Sequence, residues 1–231
     1  MAPNWHYNEL QQIGVDFTSQ AEVEAYDRKQ GSNSPEACRD LLDRLSVGAE
    51  DMLLEFGTAT GNLTLEAAKR CKYAYGVDVS LPMLEYAKQK AREAGLENVS
   101  FHHAGFVSYQ HTAAPVDFVV TKFALHHLPD FWKAKALLNI ASSMKVGGHL
   151  YLQDVIFSFA PEIAEQEIEN WINDVTQYSG FTRAEFETHV RDEYSTYDWI
   201  MDGLLTRANF KILEKSVESP TYAEYVCEKA S

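Results

Sequence analysis

The sequence predicts an α/β fold: an open, mostly parallel sheet with helices packed on both faces. Three observations predict it. Short apolar runs alternate with stretches of helical period through the first two thirds of the chain, the pattern of right-handed strand–helix–strand units. The first of these runs, Met52–Phe56, ends in Gly57-Thr58-Ala59-Thr60-Gly61 and then a helical stretch. A turn bounded by glycines lets a ligand approach the backbone, and the helix start presents free N–H groups to it. The next run ends in Asp78, about 20 residues further on, where a carboxylate can accept hydrogen bonds from ribose hydroxyls.

The elements follow in order. Residues 1–30 are polar with scattered aromatics (Trp5, Tyr7, Phe17, Tyr26) and are expected to form a cap of one or two short helices. Ser34-Pro35 reads as a helix start, and Ala37, Cys38, Leu41, Leu42 and Leu45 recur with helical period up to Gly48, expected as the stop. Residues 62–71 read as a helix with Leu63, Ala67, Ala68 and Cys71 near one face. The second strand, 73–79, ends beside Ser80, a plausible N-cap for a helix over 81–94 that Gly95 stops. A short third strand covers 99–103, and a fourth, 116–123, follows Pro115. Asp130 can cap a helix over 131–144, with Gly147-Gly148 ending it before a fifth strand over 149–157.

The pattern then changes. Residues 158–197 carry no strand signal but two helical stretches, 161–178 and one opening with the capping box Thr182-Arg183-Ala184-Glu185. This stretch reads as an insertion. A helix over 197–208 with Asn209 as left-handed cap precedes two strands, 210–217 and 221–228, joined by Glu218-Ser219-Pro220.

Composition narrows the function. With 231 residues the chain can bury a full core. Thirty-four acidic against 20 basic residues give a formal charge of −14. Phosphate backbones are bound by surplus Lys and Arg, so a nucleic-acid substrate is disfavoured. No apolar run nears the roughly 18–20 residues that span a bilayer, so no membrane partner is expected. The first residues show neither a basic region nor an apolar run, so no signal peptide is expected. Cys38, Cys71 and Cys227 lack metal-site spacing and fit reduced thiols in a cytoplasmic protein.

Phosphate-binding signatures fail at the first corner. Counted from Gly57, the second and third positions of Gly-x-Gly-x-x-Gly hold Ala59 and Asn62, and no Gly-Lys-Ser/Thr follows. Glu55 at the strand tip would repel a pyrophosphate and suits a ligand carrying positive charge near a sugar and an adenine.

Glu55-x-Gly57-x-Ala59-x-Gly61 and Gly76-Val77-Asp78-Val79-Ser80-x-x-Met83-Leu84, with the strand tips after them, resemble class I S-adenosylmethionine (SAM)-dependent methyltransferases. The resemblance is closest to the small-molecule type 11 branch. It covers 35–157 as motif and 197–229 as the expected last helix and strand pair. It implies one domain over 1–231: a Rossmann-like sheet of seven strands with the last antiparallel, a cap over 1–30, and a helical lid at 158–197 covering a small-molecule acceptor. SAM is the implied cofactor. In that family pattern Gly57, Thr58, Ala59 and Gly61 admit the methionine portion, Glu55 orients the corner, and Asp78 holds the ribose. Val79 and Met83 pack on the adenine, Gly105 and Phe106 lie at its edge, the backbone near Lys122 reaches the methionine ammonium, and Tyr26 joins from the cap.

Two departures stand out: Ala59 replaces the usual middle glycine, and Gly105 replaces an Asp whose carboxylate usually takes the adenine amino group. Ala59 must hold an Ala-compatible backbone or take strain of about 1 kcal/mol. The competing readings are a nicotinamide-dependent dehydrogenase and a protein that holds SAM without transferring methyl.

Methyl transfer from a sulfonium is an in-line displacement, and alignment alone can supply about 7–11 kcal/mol of barrier, so a base is optional. The candidate acceptor-side residues are His126, His127 and Asp154, set against packing or hydrogen-bonding roles for the same side chains. No metal is expected: adjacent histidines on extended chain point apart, and no third ligand is spaced to join them. The segment Lys122-Phe123-Ala124-Leu125 departs from the Asn/Asp-Pro-Pro-aromatic pattern of amide and amino-purine methyltransferases. Of the aromatic and imidazole side chains in the insertion (Trp171, Tyr178, Phe181, Phe186, His189, Tyr194, Tyr197), one or two are expected to face the acceptor.

Overall fold

Adjacent apolar residues in the central strands point to opposite sides, and each side has its own core. Leu54, Val119, Leu150 and Leu152 pack with Leu137, Ile140 and Leu205 on one face, whereas Leu53, Val120 and Tyr151 pack with Leu42, Leu63 and Ala67 on the other. Strands buried on both faces read as continuous apolar runs, which is why Leu53-Leu54 and Val119-Val120 stand side by side in the sequence. The computed structural model describes residues 5–11, 20–29 and 34–231; Phe17 lies outside them.

The helices are α1 (Gln20–Lys29), α2 (Pro35–Arg44), α3 (Asn62–Ala68), α4 (Leu81–Glu93), α5 (Asp130–Ser143), α6 (Ala164–Val175), α7 (Arg183–Asp192) and α8 (Asp198–Arg207). The strands are β1 (Met52–Phe56), β2 (Tyr73–Asp78), β3 (Val99–His103), β4 (Val116–Lys122), β5 (Met144–Phe157), β6 (Thr196–Tyr197), β7 (Phe210–Ser219) and β8 (Tyr222–Lys229). The main sheet runs β3-β2-β1-β4-β5-β8-β7. The pairs from β3 to β5 are parallel, and β8 is antiparallel to both β5 and β7. This is the expected seven-strand Rossmann-like sheet with a reversed last strand. The order turns back between β1 and β4, and the crevice at their carboxyl ends is where such sheets hold ligands.

Local signals behave as the chemistry requires. Ser34 accepts a hydrogen bond from the Ala37 N–H, Thr182 and Glu185 form both halves of a capping box, and Asn209 takes a left-handed φ of 65°. Several boundaries differ from the sequence reading. Helix α2 ends at Arg44, and Ser46 (φ 58°), not Gly48, makes the left-handed turn. Helix α5 ends at Ser143, and β5 starts at once and runs through Gly147-Gly148. Pairing with β4 shifts register there, and a Cβ on Gly148 would lie 2.9 Å from the Asp117 carbonyl oxygen. Gly148 thus serves a close approach of backbones rather than a helix stop. The insertion also ends in a strand, β6, which pairs in parallel with Ile156 and Phe157.

The insertion has a small core of its own. Trp171, Ile172 and Val175 of α6 pack on Val155, Phe123 and Tyr222, joined by Phe186 and Val190 of α7. The α7 exit is tied to the end of β4, since Tyr194 N–H donates to the His126 carbonyl at 2.8 Å and buried Lys133 donates to the Tyr194 carbonyl. Helices α6 and α7 therefore sit against the carboxyl ends of the strands.

Candidate active site at the carboxyl ends of the strands

The β1 tip and the turn after it form one hydrogen-bonded unit. The buried Glu55 Oε2 accepts from Thr58 Oγ1 at 2.9 Å and from the Thr64 N–H at 3.0 Å. Burial pushes the Glu55 carboxyl up to about 7, against the hydrogen bonds from Thr64 and Thr58 that favour its ionised form. Glu55 and Thr58 do not line the cavity described below. Glu55 therefore holds the turn from behind, without lining the cavity itself.

The turn passes through three left-handed residues: Gly57 (φ 70°), Ala59 (φ 46°) and Gly61 (φ 79°). A Cβ on Gly57 would lie 2.4 Å from Ala124 Cβ, and one on Gly61 would lie 2.8 Å from Ala87 Cβ. Both positions need glycine for space as well as for φ. Ala59 takes the strained alternative, which costs an L-residue about 1–2 kcal/mol. Its N–H donates to Asp78 Oδ2 at 2.7 Å, while Asp78 Oδ1 accepts the Ser80 N–H at 2.8 Å. Burial raises the Asp78 carboxyl above its usual range. Asp78 joins the two signature segments.

A cavity of about 1260 Å³ opens along these tips. Gly57, Ala59, Asp78, Val79, Met83, Gly105, Phe106, Lys122 and Tyr26 line it; Gly61 does not. Phe106 stacks on Phe56 with ring centroids 5.1 Å apart. Burial lowers the Lys122 ammonium and raises the Tyr26 phenol, the latter further opposed in ionising by nearby Asp78. After Lys122 the chain turns through Phe123, a non-glycine residue at φ 48°. Such strain collects where backbone is aimed at a ligand.

The far end of the cavity is walled by the insertion and the β7–β8 turn. Trp171, Tyr178, Phe181, Phe186 and His189 line it, with Phe123, Thr221 and Tyr222 opposite; Tyr194 and Tyr197 do not. Trp171 Nε1 donates to the Tyr222 hydroxyl at 3.0 Å, and the two rings meet edge to face.

His126 and His127 lie in a 3₁₀ turn (Leu125–His127) at this end. His126 Nδ1 is 2.5 Å from Asp154 Oδ1, and its Nε2 is 3.3 Å from Glu193 Oε2. Burial favours neutral imidazole, but Asp154 and Glu193 outweigh it and raise His126 above the usual range. Burial likewise opposes the Asp154 charge, yet His126 holds that carboxyl below its usual range. With both ring nitrogens engaged by carboxylates, His126 has no free lone pair for a proton. Asp154 sits behind it and does not line the cavity. His127 does line it, and the surrounding protein together with His126 lowers its imidazole to about 4.

The tight turn also brings ring atoms of His126 and His127 and a Glu193 oxygen within 4.8 Å of one another. The spacing argument against a third ligand therefore fails, because Glu193 arrives from α7's far end. Its Oε2 is already shared with His189 Nδ1.

The sequence reading missed Glu9, Asp27, Glu193 and Tyr222. Asp27 on α1 accepts from Thr60 Oγ1, Asn62 Nδ2 and Lys90 Nζ, tying the cap to the turn. Glu9 accepts the Val107 N–H at 2.9 Å and the Ser108 N–H at 2.6 Å. Tyr7 donates to the His127 carbonyl at 2.9 Å, and Trp5 stacks on Trp132. The one sequence signal for Glu9 is the missing side chain at Gly105.

Comparisons with known proteins agree with this geometry. Residues 53–148 match the family model described as a methyltransferase domain. An uncharacterised methyltransferase of Geobacillus sp. (strain WCH70) is 32% identical over 118 residues, 51% of this chain and 54% of that protein. The match thus spans about half the length of that relative. The crystal structure of a SAM-dependent methyltransferase from Aquifex aeolicus superposes with a TM-score of 0.64 at 16% identity, covering 93% of this chain and 100% of that one. The SAM-bound magnesium protoporphyrin IX methyltransferase of Synechocystis PCC 6803 superposes at 0.57 and 16% identity, covering 94% and 86%.

Proposed function

We propose that this protein, whose residues 53–148 match the model of a methyltransferase domain, transfers a methyl group from SAM to a small-molecule acceptor. The observation that carries the reading is the cavity. At about 1260 Å³ it exceeds the roughly 300–1,000 Å³ typical of one small ligand. It runs from Asp78 and Met83 at one end to Trp171 and Tyr222 at the other. That length accommodates a nucleoside cofactor and a second molecule beyond its sulfonium.

In this reading Asp78 receives the ribose hydroxyls, Val79 and Met83 pack on the purine, and the backbone of Gly57, Ala59 and Lys122 surrounds the methionine portion. SAM supplies an activated methyl group. The protein aligns the acceptor with it and excludes water, and alignment can account for about 7–11 kcal/mol of barrier. The insertion 158–197 serves as the acceptor lid within a single domain. Its aromatic wall suits a flat or apolar molecule, while Glu167, Asp174, Glu185 and Glu193 on the same wall disfavour an anionic one.

His126 serves as a fixed charge between Asp154 and Glu193 and ties the lid to β4. His127, neutral and open to the cavity, can accept a hydrogen bond from the acceptor, and with its imidazole held at about 4 it is a weak base. The cluster works as an ion-pair latch without a metal. The buried free thiols of Cys38, Cys71 and Cys227 suit a reducing compartment such as the cytoplasm. Among the described residues no helix is long and apolar enough to cross a membrane.

Calorimetric titration tests the cofactor half. Micromolar binding of S-adenosylhomocysteine with no NADH binding is expected; the reverse would make the chain a dehydrogenase. Turnover of SAM against a panel of O-, N-, S- and C-nucleophiles tests the transfer, and binding without turnover of any of them would leave a SAM-holding protein.

A further inference from the structure

Two distant pieces of chain build the cavity wall at the β3 tip. Gly105 has no side chain, and a Cβ placed on it would lie 2.4 Å from the Glu9 Cδ and Oε2 atoms. The carboxylate of Glu9 therefore fills the volume that a side chain at position 105 would occupy. It is held there by the Val107 and Ser108 N–H groups, while Ser108 Oγ accepts the Gly105 N–H at 3.0 Å. Glu9, Gly105 and Phe106 all line the cavity. A carboxylate offers about four lone-pair sites. The two backbone donors leave acceptor capacity on the cavity side, where a partner must be a hydrogen-bond donor.

The identity of that donor rests on the SAM reading above. With ribose hydroxyls at Asp78 and the base against Val79 and Met83, the purine extends from the β2 tip towards the β3 tip. The donor that adenine carries on its outer edge is the exocyclic amino group. We infer that Glu9 is a cofactor-specificity residue: its carboxylate accepts a hydrogen bond from the adenine amino group, in a place where this chain has no side chain of its own on β3. The segment 5–11 is thereby part of the cofactor site. Its other anchors are the Tyr7 hydroxyl on the His127 carbonyl and the Trp5 ring over Trp132. One face of this segment meets the cofactor and the Tyr7 anchor meets the histidine turn, so binding at either end favours the same docked segment.

The test compares S-adenosylhomocysteine with S-inosylhomocysteine, which carries a carbonyl oxygen in place of the amino group, by calorimetry on wild type, Glu9→Gln and Glu9→Ala. Wild type is expected to prefer the adenosine compound by at least about tenfold, the scale of a hydrogen bond to a charged group. Glu9→Gln, whose amide can donate as well as accept, is expected to cut that preference to about threefold or less, while its thermal unfolding matches wild type. Glu9→Ala is expected to lose affinity for the adenosine compound and to change little for the inosine compound. Intact binding with the wild-type preference retained in both variants would overturn the Glu9 assignment alone. Failure of wild type to bind either compound would overturn the SAM reading and the assignment with it.

Discussion

The Asp78 carboxylate accepts the Ala59 N–H at 2.7 Å, so the residue expected to hold the ribose also holds the strained turn beside it. Asp78→Ala is expected to weaken S-adenosylhomocysteine binding at least tenfold, since a charge-assisted bond contributes about 1.5–3 kcal/mol. Calorimetry checks it, and an unchanged affinity would show that the ribose lies elsewhere.

Ala59→Gly and Gly57→Ala should shift stability in opposite directions. Ala59→Gly relieves a left-handed φ of 46° at about 1–2 kcal/mol and adds about 0.4–1 kcal/mol of unfolded-state entropy. A small net gain in the urea midpoint is expected. Gly57→Ala combines the wrong φ with a 2.4 Å contact to Ala124 Cβ and should lower stability by about 2 kcal/mol or more. Equal effects of the two substitutions would remove the case for strain at Ala59.

Glu55 makes stability depend on pH. Its carboxyl is raised from 4.5 to about 7 by burial, so the folded chain holds that proton more tightly than the unfolded one. The resulting stability is fully present below pH 4.5 and is lost as pH rises through 7, by up to about 3 kcal/mol. Glu55→Gln keeps an acceptor for Thr58 and Thr64 but cannot titrate. Denaturation from pH 5 to pH 8 should therefore show wild type weakening relative to Glu55→Gln. Parallel curves would mean that Glu55 is already ionised throughout.

The lid assignment predicts a split between the two halves of the cavity. Trp171→Phe removes the donor to the Tyr222 hydroxyl while keeping an aromatic ring. It should raise KM for the acceptor several-fold and leave S-adenosylhomocysteine affinity unchanged. A matching loss in both would place Trp171 in the general core rather than in an acceptor wall.

The histidine turn can be tested for metal directly. His126 is shared between Asp154 and Glu193, and Glu193 is shared again with His189, so the groups a metal would need already hold one another. Dialysis against a chelator should leave turnover unchanged. Loss of activity restored by a divalent ion would make His126, His127 and Glu193 a metal centre.

The features legible in the sequence are those whose cause is local. Gly57, Asn209 and the Thr182–Glu185 box each answer to the conformation of their own few residues, and the doubled apolar residues of the strands report burial on two faces. What could not be read depends on partners far along the chain. Gly148 looks like a helix stop until β4 is seen pressing on it. Ser46 ends a turn that Gly48 was better suited to end by propensity alone. Glu9 is an ordinary surface acid in sequence, and only the space above Gly105 gives it a place. Likewise, nothing in the local pattern ties Glu193 to a histidine nearly 70 residues earlier.

The reversal of β8 has a consequence for how such a protein can diverge. Because β8 runs against β5, its first residue, Tyr222, and Thr221 in the turn before it emerge at the same sheet end as the tips of β1, β2 and β4. The proposed acceptor wall then comes largely from chain that follows β4, most of it from beyond residue 157. The cofactor wall comes from earlier chain. The family model stops at residue 148, close to that boundary. Substitution within 158–197, which packs around a small core of its own, could then reshape the proposed acceptor wall while the cofactor wall stays in place.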